Sequence, residues 1–325
     1  MLDSYAIEGG ALVHCPPEAA RIFVFSSPDE AERRALVRDY GLDPHELASA
    51  LDPDELGRVD HDETRFSIIL KRPCNFTGED QLLFTVTSLG LFLEKDRLLV
   101  VASDSLGLFE NRAVRRIDDA RDALLKILYG TIAHFLGHLK VINMLSESIE
   151  KRINTSMENR YLLDMFTLEK SLVYFVNGID SNQMVLEKMR QAGERLGLSR
   201  PQLDILEEIL IENRQCSKQA EIYSNILTGL MDARGSVVNN NLSVLMKRLT
   251  VISVVFMPMN VLAGMGGMSE FSQWTRGAPW WVAYSLFLAG LVMVGFLTYW
   301  VLKKTGLERS GGGRREPEGR RRRKA

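Results

Sequence analysis

The stretch Leu245–Phe271, LMKRLTVISVVFMPMNVLAGMGGMSEF, decides how this chain is read. Within it, Leu249–Met268 contains no Asp, Glu, Lys or Arg. That run of about 20 residues is the length a helix needs to cross a hydrocarbon core about 30 Å thick. A plain anchor has no use for Ser253, Pro258, Asn260 and the cluster Gly264, Gly266 and Gly267. On a helix, Met246, Leu249, Ser253, Met257, Asn260 and Gly264 recur every three or four residues and share one face. That face carries polar groups at Ser253 and Asn260, exposed carbonyls at Gly264, and bulky apolar side chains at Met246, Leu249 and Met257. The opposite face, with Ile252, Val255 and Met259, is apolar. Polar groups at mid-membrane depth face a water-filled cavity or a protein partner rather than lipid. One helix encloses nothing, but several copies around an axis can enclose a pore. Helix–helix packing through small residues is the alternative use of the same pattern.

Working outward, a second uncharged run spans Ala278–Leu302, about 25 residues long. Lys247 and Arg248 precede the first run, and Lys303, Lys304 and Arg309 follow the second, so the positive-inside bias puts both ends in the cytoplasm. The linker Ser269–Gly277 is then external. Trp274, Trp280, Trp281 and Tyr284 mark the outer interface, and Tyr299 and Trp300 the inner one. From Lys303 onward ten basic residues stand against three acidic, a local +7; set against the net charge of −2, this leaves −9 on the rest. The tail, ending in GRRRRKA, is read as a solvated topology determinant; a weak contact with anionic lipid is the alternative. An acidic body argues against nucleic-acid binding and for cations as partners. The three Cys are scattered without a CxxC pair, which excludes a disulfide scaffold or a zinc-finger framework. MLDSYAIEGG has neither a basic nor an apolar segment, so no cleavable signal is expected.

Upstream, residues 1 to about 110 read as mixed α/β. Arg21–Ser26, Phe66–Lys71, Gln81–Thr87, Leu89–Glu94 and Arg97–Ala102 are strand-like, and Pro28–Tyr40 and Pro44–Asp52 helical. Hairpin-length gaps near Glu79–Asp80 and Lys95–Asp96 favour antiparallel or mixed pairing. From Ile117 the pattern is helical throughout: Ile117 to about Asn154, Leu162 to about Arg195, and a third helix from Ser199 into the first apolar run. Ser199 with Gln202 fits a capping box, and Pro201 suits the first turn.

These residues resemble the CorA family of divalent-cation channels. Met246, Lys247, Leu249 and Thr250 match the family's entry to the pore helix. Phe256–Pro258, Ala263–Gly264 and the triplet Gly267, Met268, Ser269 follow in register. LDPDELGRVDHDETRFSIILKRP (Leu51–Pro73) and LGLFLEKDRLLVV (Leu89–Val101) extend the likeness to about 300 residues, all but the tail. The resemblance implies an α+β cytoplasmic domain, long stalk helices and two C-terminal transmembrane helices, assembled as a homopentameric funnel. The implied divisions are 1–115, 116–248, 249–268, 269–277, 278–302 and 303–325. It places Met246, Leu249 and Met257 at hydrophobic gating rings and Ser253, Asn260 and Gly264 on the pore lining. Gly267, Met268 and Ser269 fall on the Gly-Met-Asn signature at the external mouth. Ser269 departs from the family's Asn, and Glu270 beside it offers a carboxylate ring instead. The implied protein is no enzyme and needs no cofactor. It is an inner-membrane channel for divalent cations, self-associated and closed by cytosolic metal, with Mg²⁺ first and Co²⁺ or Ni²⁺ beside it. Zn²⁺ transport by the same architecture, with or without proton coupling, is the alternative ion. A non-conducting metal sensor or scaffold is the alternative class.

Two other clusters carry residues that can ligate a metal. His134 and His138, four apart on a helix, can share one face and a zinc ion, but no third ligand is identifiable and the pair is read as structural. Asp60, Asp62 and Glu63, flanking His61, form an acidic turn that can hold a divalent ion loosely; a solvated loop before a strand is the default. The family's regulatory carboxylates are not legible by motif.

Overall fold

A computed structural model describes residues 1–62, 64–75, 82–104, 116–155, 160–268, 273–274, 277 and 279–304. The chain divides into two compact units, Met1–Met231 and Asp232–Ala325.

The first unit is built on a seven-stranded sheet. Its strands are β1 (Leu2–Glu8), β2 (Ala11–His14), β3 (Ile22–Ser26), β4 (Arg58–His61), β5 (Arg65–Pro73), β6 (Val86–Glu94) and β7 (Arg97–Ala102), in the order β2-β1-β3-β7-β6-β5-β4. Only β3 and β7 pair in parallel; the sheet is mixed, as the hairpin-length gaps predict. Both faces are covered, so the central strands are apolar on consecutive residues rather than alternate ones. Phe23, Phe25, Ile69, Phe92, Leu99 and Val101 face a layer of two short helices, α1 (Glu30–Arg38) and α2 (Pro44–Leu51). Ile22, Val24, Ile68, Leu70, Leu89, Leu91, Leu98 and Val100 face the long helices α3 (Ala120–Thr155) and α4 (Arg160–Gln191) and the start of α5 (Arg200–Gly266).

Sequence capping signals set the helix starts. Asp29 accepts from the Glu32 amide at 2.7 Å, and Glu32 accepts from the Asp29 amide at 3.0 Å, a complete capping box for α1. At α5 the Gln202 side chain accepts from the Ser199 amide at 2.9 Å and donates to Asp119 and Asp122, tying this start to that of α3.

Four strands differ from the sequence reading. β1 and β2 form a hairpin around Gly9 and Gly10, whose φ values of +59° and +85° suit a tight two-residue turn. β4 pairs with β5 only from Phe66 to Ile69. Gln81–Thr87 and Leu89–Glu94 are not two strands: Val86–Glu94 is one, running through the fully buried Ser88. The Glu79–Asp80 turn lies outside the described residues.

Beyond Ile69 no strand among the described residues lies beside this edge of β5. Asn182 of α4 takes that place. It accepts from the Lys71 amide and donates to the Lys71 carbonyl, both at 2.7 Å. Asn182→Ala leaves both backbone groups buried without partners, at a cost of about 2–5 kcal/mol. A clear drop in the thermal midpoint of the full-length protein is expected, and an unchanged midpoint would show the clamp to be dispensable.

The second unit contains the end of α5 and α6 (Trp280–Lys304), each holding a segment long and apolar enough to cross a membrane. Ala283, Phe287, Leu291, Val294, Gly295 and Thr298 form the less exposed face of α6. Gly266 of α5 lies against the Phe287 ring, and Gly295 of α6 against Met259. Lys304 places its ammonium 5.1 Å from the centre of the Trp300 ring, at the end of the segment where an aromatic belt and a cation are expected.

Candidate ion pathway

Helical geometry turns α5 by about 100° per residue. Val251, Val255, Pro258, Met259, Leu262 and Gly266 are its less exposed residues in this segment, and two of their contacts are with α6. Met246, Leu249, Ser253, Met257, Asn260 and Gly264 centre about 170° round the helix from them. All six are exposed; Met246, Leu249 and Met257 are 56%, 59% and 70% accessible. The stripe of the sequence reading is thus the face turned away from α6. The packed face is shifted slightly from expectation: Val251 belongs to it, whereas Ile252 is exposed.

The polar groups on the stripe differ in how they are satisfied. Ser253 donates back to the Leu249 carbonyl at 3.0 Å, leaving its oxygen lone pairs free to face outward. Thr250 donates to Met246 in the same way at 2.8 Å. The Asn260 amide has no hydrogen-bond partner among the described residues. An unpartnered amide in a charge-free apolar segment costs several kcal/mol against lipid, about 2–7 by transfer measurements, and much less against water. Pro258 supplies no N–H, so the Val254 carbonyl lacks its helical donor. At the end of α5 the Gly267 and Met268 amides donate to Gly264 and Met265, both at 3.2 Å, in tightened turns. Gly267 and Met268 are exposed there, while Ser269 and Glu270 lie outside the described residues.

The stripe continues past Met246. Counting back by threes and fours reaches Leu242, Asn239, Gly235 and Asp232, all exposed on the same face of α5. Asp232 is an acid that the sequence reading did not single out. Extending the heptad-like count beyond the apolar run was the signal that finds it.

The fold meets the family here. A sequence profile described as "CorA-like Mg2+ transporter protein" matches residues 18–304. The chain belongs to the CorA family. Among CorA relatives, the cobalt/magnesium transport protein CorA of Methanocaldococcus jannaschii is 22% identical over 289 residues, covering 86% of this chain and 88% of the relative. The protein of the same name from Thermotoga maritima is 24% identical over 277 residues, covering 82% and 77%. The complete structure of the M. jannaschii CorA magnesium transporter superposes with a TM-score of 0.78 at 20% identity, over 94% of this chain and 98% of that one. The full-length CmaX protein superposes with a TM-score of 0.71 at 14% identity, over 94% and 97%. These superpositions show that the CorA fold extends through α6.

The cytoplasmic-type clusters of the sequence reading are engaged within the fold. Asp60 is paired with Arg58 at 3.0 Å, and His61 stacks on Phe66 with ring centres 3.9 Å apart. Asp62 donates its amide to the Arg65 carbonyl at 3.0 Å, closing the β4–β5 turn; Glu63 lies outside the described residues. Among the described residues no three His, Cys, Asp or Glu side chains are arranged to hold a metal.

His134 and His138 do share a face of α3, with ring centres 4.5 Å apart, and His138 also stacks on Phe175. Arg72 of β5, buried and paired with Asp104, faces this pair. Burial, then the Arg72 charge, holds His134 below the ordinary imidazole value. Burial, then His134, pushes His138 down to about 4. The unfolded imidazole protonates near pH 6.5. Between about 6.5 and 4 the unfolded chain therefore binds more protons, and stability falls as pH drops through that window. His138 is partly exposed, so the loss is on the order of 1–2 kcal/mol. Thermal midpoints between pH 7.5 and 4.5 should fall less steeply in His138→Phe than in the parent. An identical slope would remove His138 from the account.

Proposed function

We propose that this CorA-family protein is a passive divalent-cation channel whose pathway is lined by the Met246–Gly264 stripe of α5 from several copies of the chain. The observation that carries the reading is Asn260: an unpartnered amide in the charge-free segment of α5, on the face turned away from α6. Copies arranged as a ring, five by resemblance to the family, turn each stripe position into a ring of side chains. Asn260 and Ser253 give polar rings, and Met257, Leu249 and Met246 give apolar ones that gate by dewetting. Gly267, Met268, Ser269 and Glu270 form the outer mouth. The Ser269 hydroxyls bond the water of a hydrated ion and the Glu270 carboxylates concentrate divalent cations. Asp232 and Asn239 form the cytoplasmic end of the path, where a ring of carboxylates receives the emerging ion.

Mg²⁺ is the proposed cargo, with Co²⁺ beside it, as the names of the curated relatives say of those proteins. Mg²⁺ sheds water reluctantly, which suits a path of amide and hydroxyl groups that bond its hydration shell. The membrane potential supplies about 4.6 kcal/mol per 100 mV for a divalent ion, so no coupled energy source is required. Both termini lie on the cytoplasmic side of the inner membrane, by the placement of Lys247, Arg248, Lys303 and Lys304. Cytosolic metal closes the path through a shift of α5 between two arrangements.

Cysteine accessibility tests the lining. In a background with Cys15, Cys74 and Cys216 replaced by Ala, Asn260→Cys and Ser253→Cys should react with a charged thiol reagent in membranes. Val255→Cys and Met259→Cys should stay protected. Equal protection of all four would overturn the proposed pathway.

A further inference from the structure

A second candidate site lies in the sheet-bearing unit, on the α1–α2 side of the sheet. A cavity of about 420 Å³ opens at the end of strands β3, β7, β6 and β5, under the C-terminus of α1. Its floor is the aromatic and aliphatic row Phe23, Leu99 and Phe92, and Tyr40 closes one side. Its rim carries Arg38, Arg65 and Arg97 against Asp39 and Glu94. Three guanidinium groups around one cavity stand out on a body whose charge, without the tail, is −9.

The two acids are already engaged. Asp39 accepts from Nε and Nη2 of the neighbouring Arg38, at 2.8 and 3.1 Å. Glu94 is paired with Arg65 at 3.2 Å. Arg65 is fixed further by donating to the Gly41 and Tyr40 carbonyls at 2.9 and 2.8 Å, so it braces the wall and leaves little to offer a ligand. The Arg97 side chain forms no ion pair or hydrogen bond among the described residues. It begins β7 directly opposite Glu94 on β6. The positive charge left over at the cavity is therefore that of Arg97, with Arg38 beside it in an exposed pair that is cheaply exchanged.

We infer that this cavity binds a small phosphate-bearing molecule, its phosphate held by Arg97 and Arg38 and its remaining part lying against the half-buried Tyr40. A planar guanidinium presents paired N–H donors that match phosphate oxygens, and the partly exposed Tyr40 gives a flat group an apolar side to lie against. The inference is independent of the proposed ion pathway, since it concerns ligand binding and not flux.

Calorimetric titration of the detergent-purified full-length protein, in buffer free of divalent cations, tests it with inorganic phosphate and with AMP. Saturable binding of one molecule per chain is expected, weakened roughly tenfold or more by Arg97→Gln. Arg34→Gln removes the same charge from α1 without lining this cavity and should change the affinity by less than about twofold. AMP binding more tightly than phosphate supports Tyr40 as part of the site, and equal affinity supports the phosphate contacts alone. No saturable binding of either probe, or the same change in both variants, would overturn the assignment.

Discussion

Replacing Asn260 by Leu is expected to cut Mg²⁺ flux through the purified full-length protein by roughly tenfold or more, with no loss of folded, assembled protein. The side chains are close in size, and in the single chain Asn260 touches no hydrogen-bonding partner that its loss would strand. What changes is the ring that faces the ion. Asn260 lies one turn from Met257, a rise of about 4.5 Å, so Leu at this position extends the apolar constriction by a full turn. A longer dry segment is a higher barrier to a strongly hydrated divalent ion. Asn260→Gln keeps the amide and should retain a measurable part of the flux. If Asn260→Leu conducts as the parent does, the stripe is packing surface and not a pathway.

The second large effect separates two glycines two residues apart on α5. A Cβ at Gly266 would lie within 2.9 Å of several atoms of the Phe287 ring, so Gly266→Val forces α5 and α6 apart. Overpacking of this kind costs about 1–3 kcal/mol, and the thermal midpoint and the yield of assembled protein should fall. A Cβ at Gly264 meets nothing within 4 Å of its own chain. Gly264→Val should leave the midpoint close to that of the parent and still reduce flux strongly, because its side chain enters the lining. Size-exclusion profiles and thermal melts of the two variants, set beside their flux, read the difference. Equal destabilisation by both would mean that Gly264 is buried between copies rather than facing an open path.

Much of this was legible in the residues. The first apolar run announced both its membrane length and its polar face, because spacing by three and four survives without knowledge of the neighbours. Ser199–Gln202 marked a helix start through a local hydrogen bond that depends on sequence distance alone. What failed to show was decided by distant partners. β1 mixes Asp3, Ser4 and Glu8 with Leu2, Ala6 and Ile7 without regular alternation, and reads as a strand only once the Gly9–Gly10 turn is recognised as a hairpin. Ser88 looked like a break between strands, yet it is buried where Lys71 and the Asp52 carbonyl meet its hydroxyl at 3.2 and 2.5 Å. The face that α5 gives to α6 depends on Phe287 and Met259 finding glycines on the opposing helix, a match no spacing rule announces. The arginine-rimmed cavity assembles residues from Phe23 to Leu99 that lie on five separate elements and connecting turns. Asp232 was within reach of the same arithmetic that found Asn260, and was passed over because the count stopped at the edge of the apolar run.

Ion entry into liposomes tests the central claim most directly. Purified protein, shown to be folded and oligomeric, is reconstituted with a dye for divalent cations inside and an inside-negative potential imposed. Mg²⁺, Co²⁺, Ni²⁺ and Zn²⁺ are then added separately, with and without a pH gradient. The account predicts Mg²⁺ entry that follows the potential, ignores the pH gradient and is lost in Asn260→Leu. No entry of Mg²⁺, or entry of Zn²⁺ alone that follows the pH gradient, would contradict it.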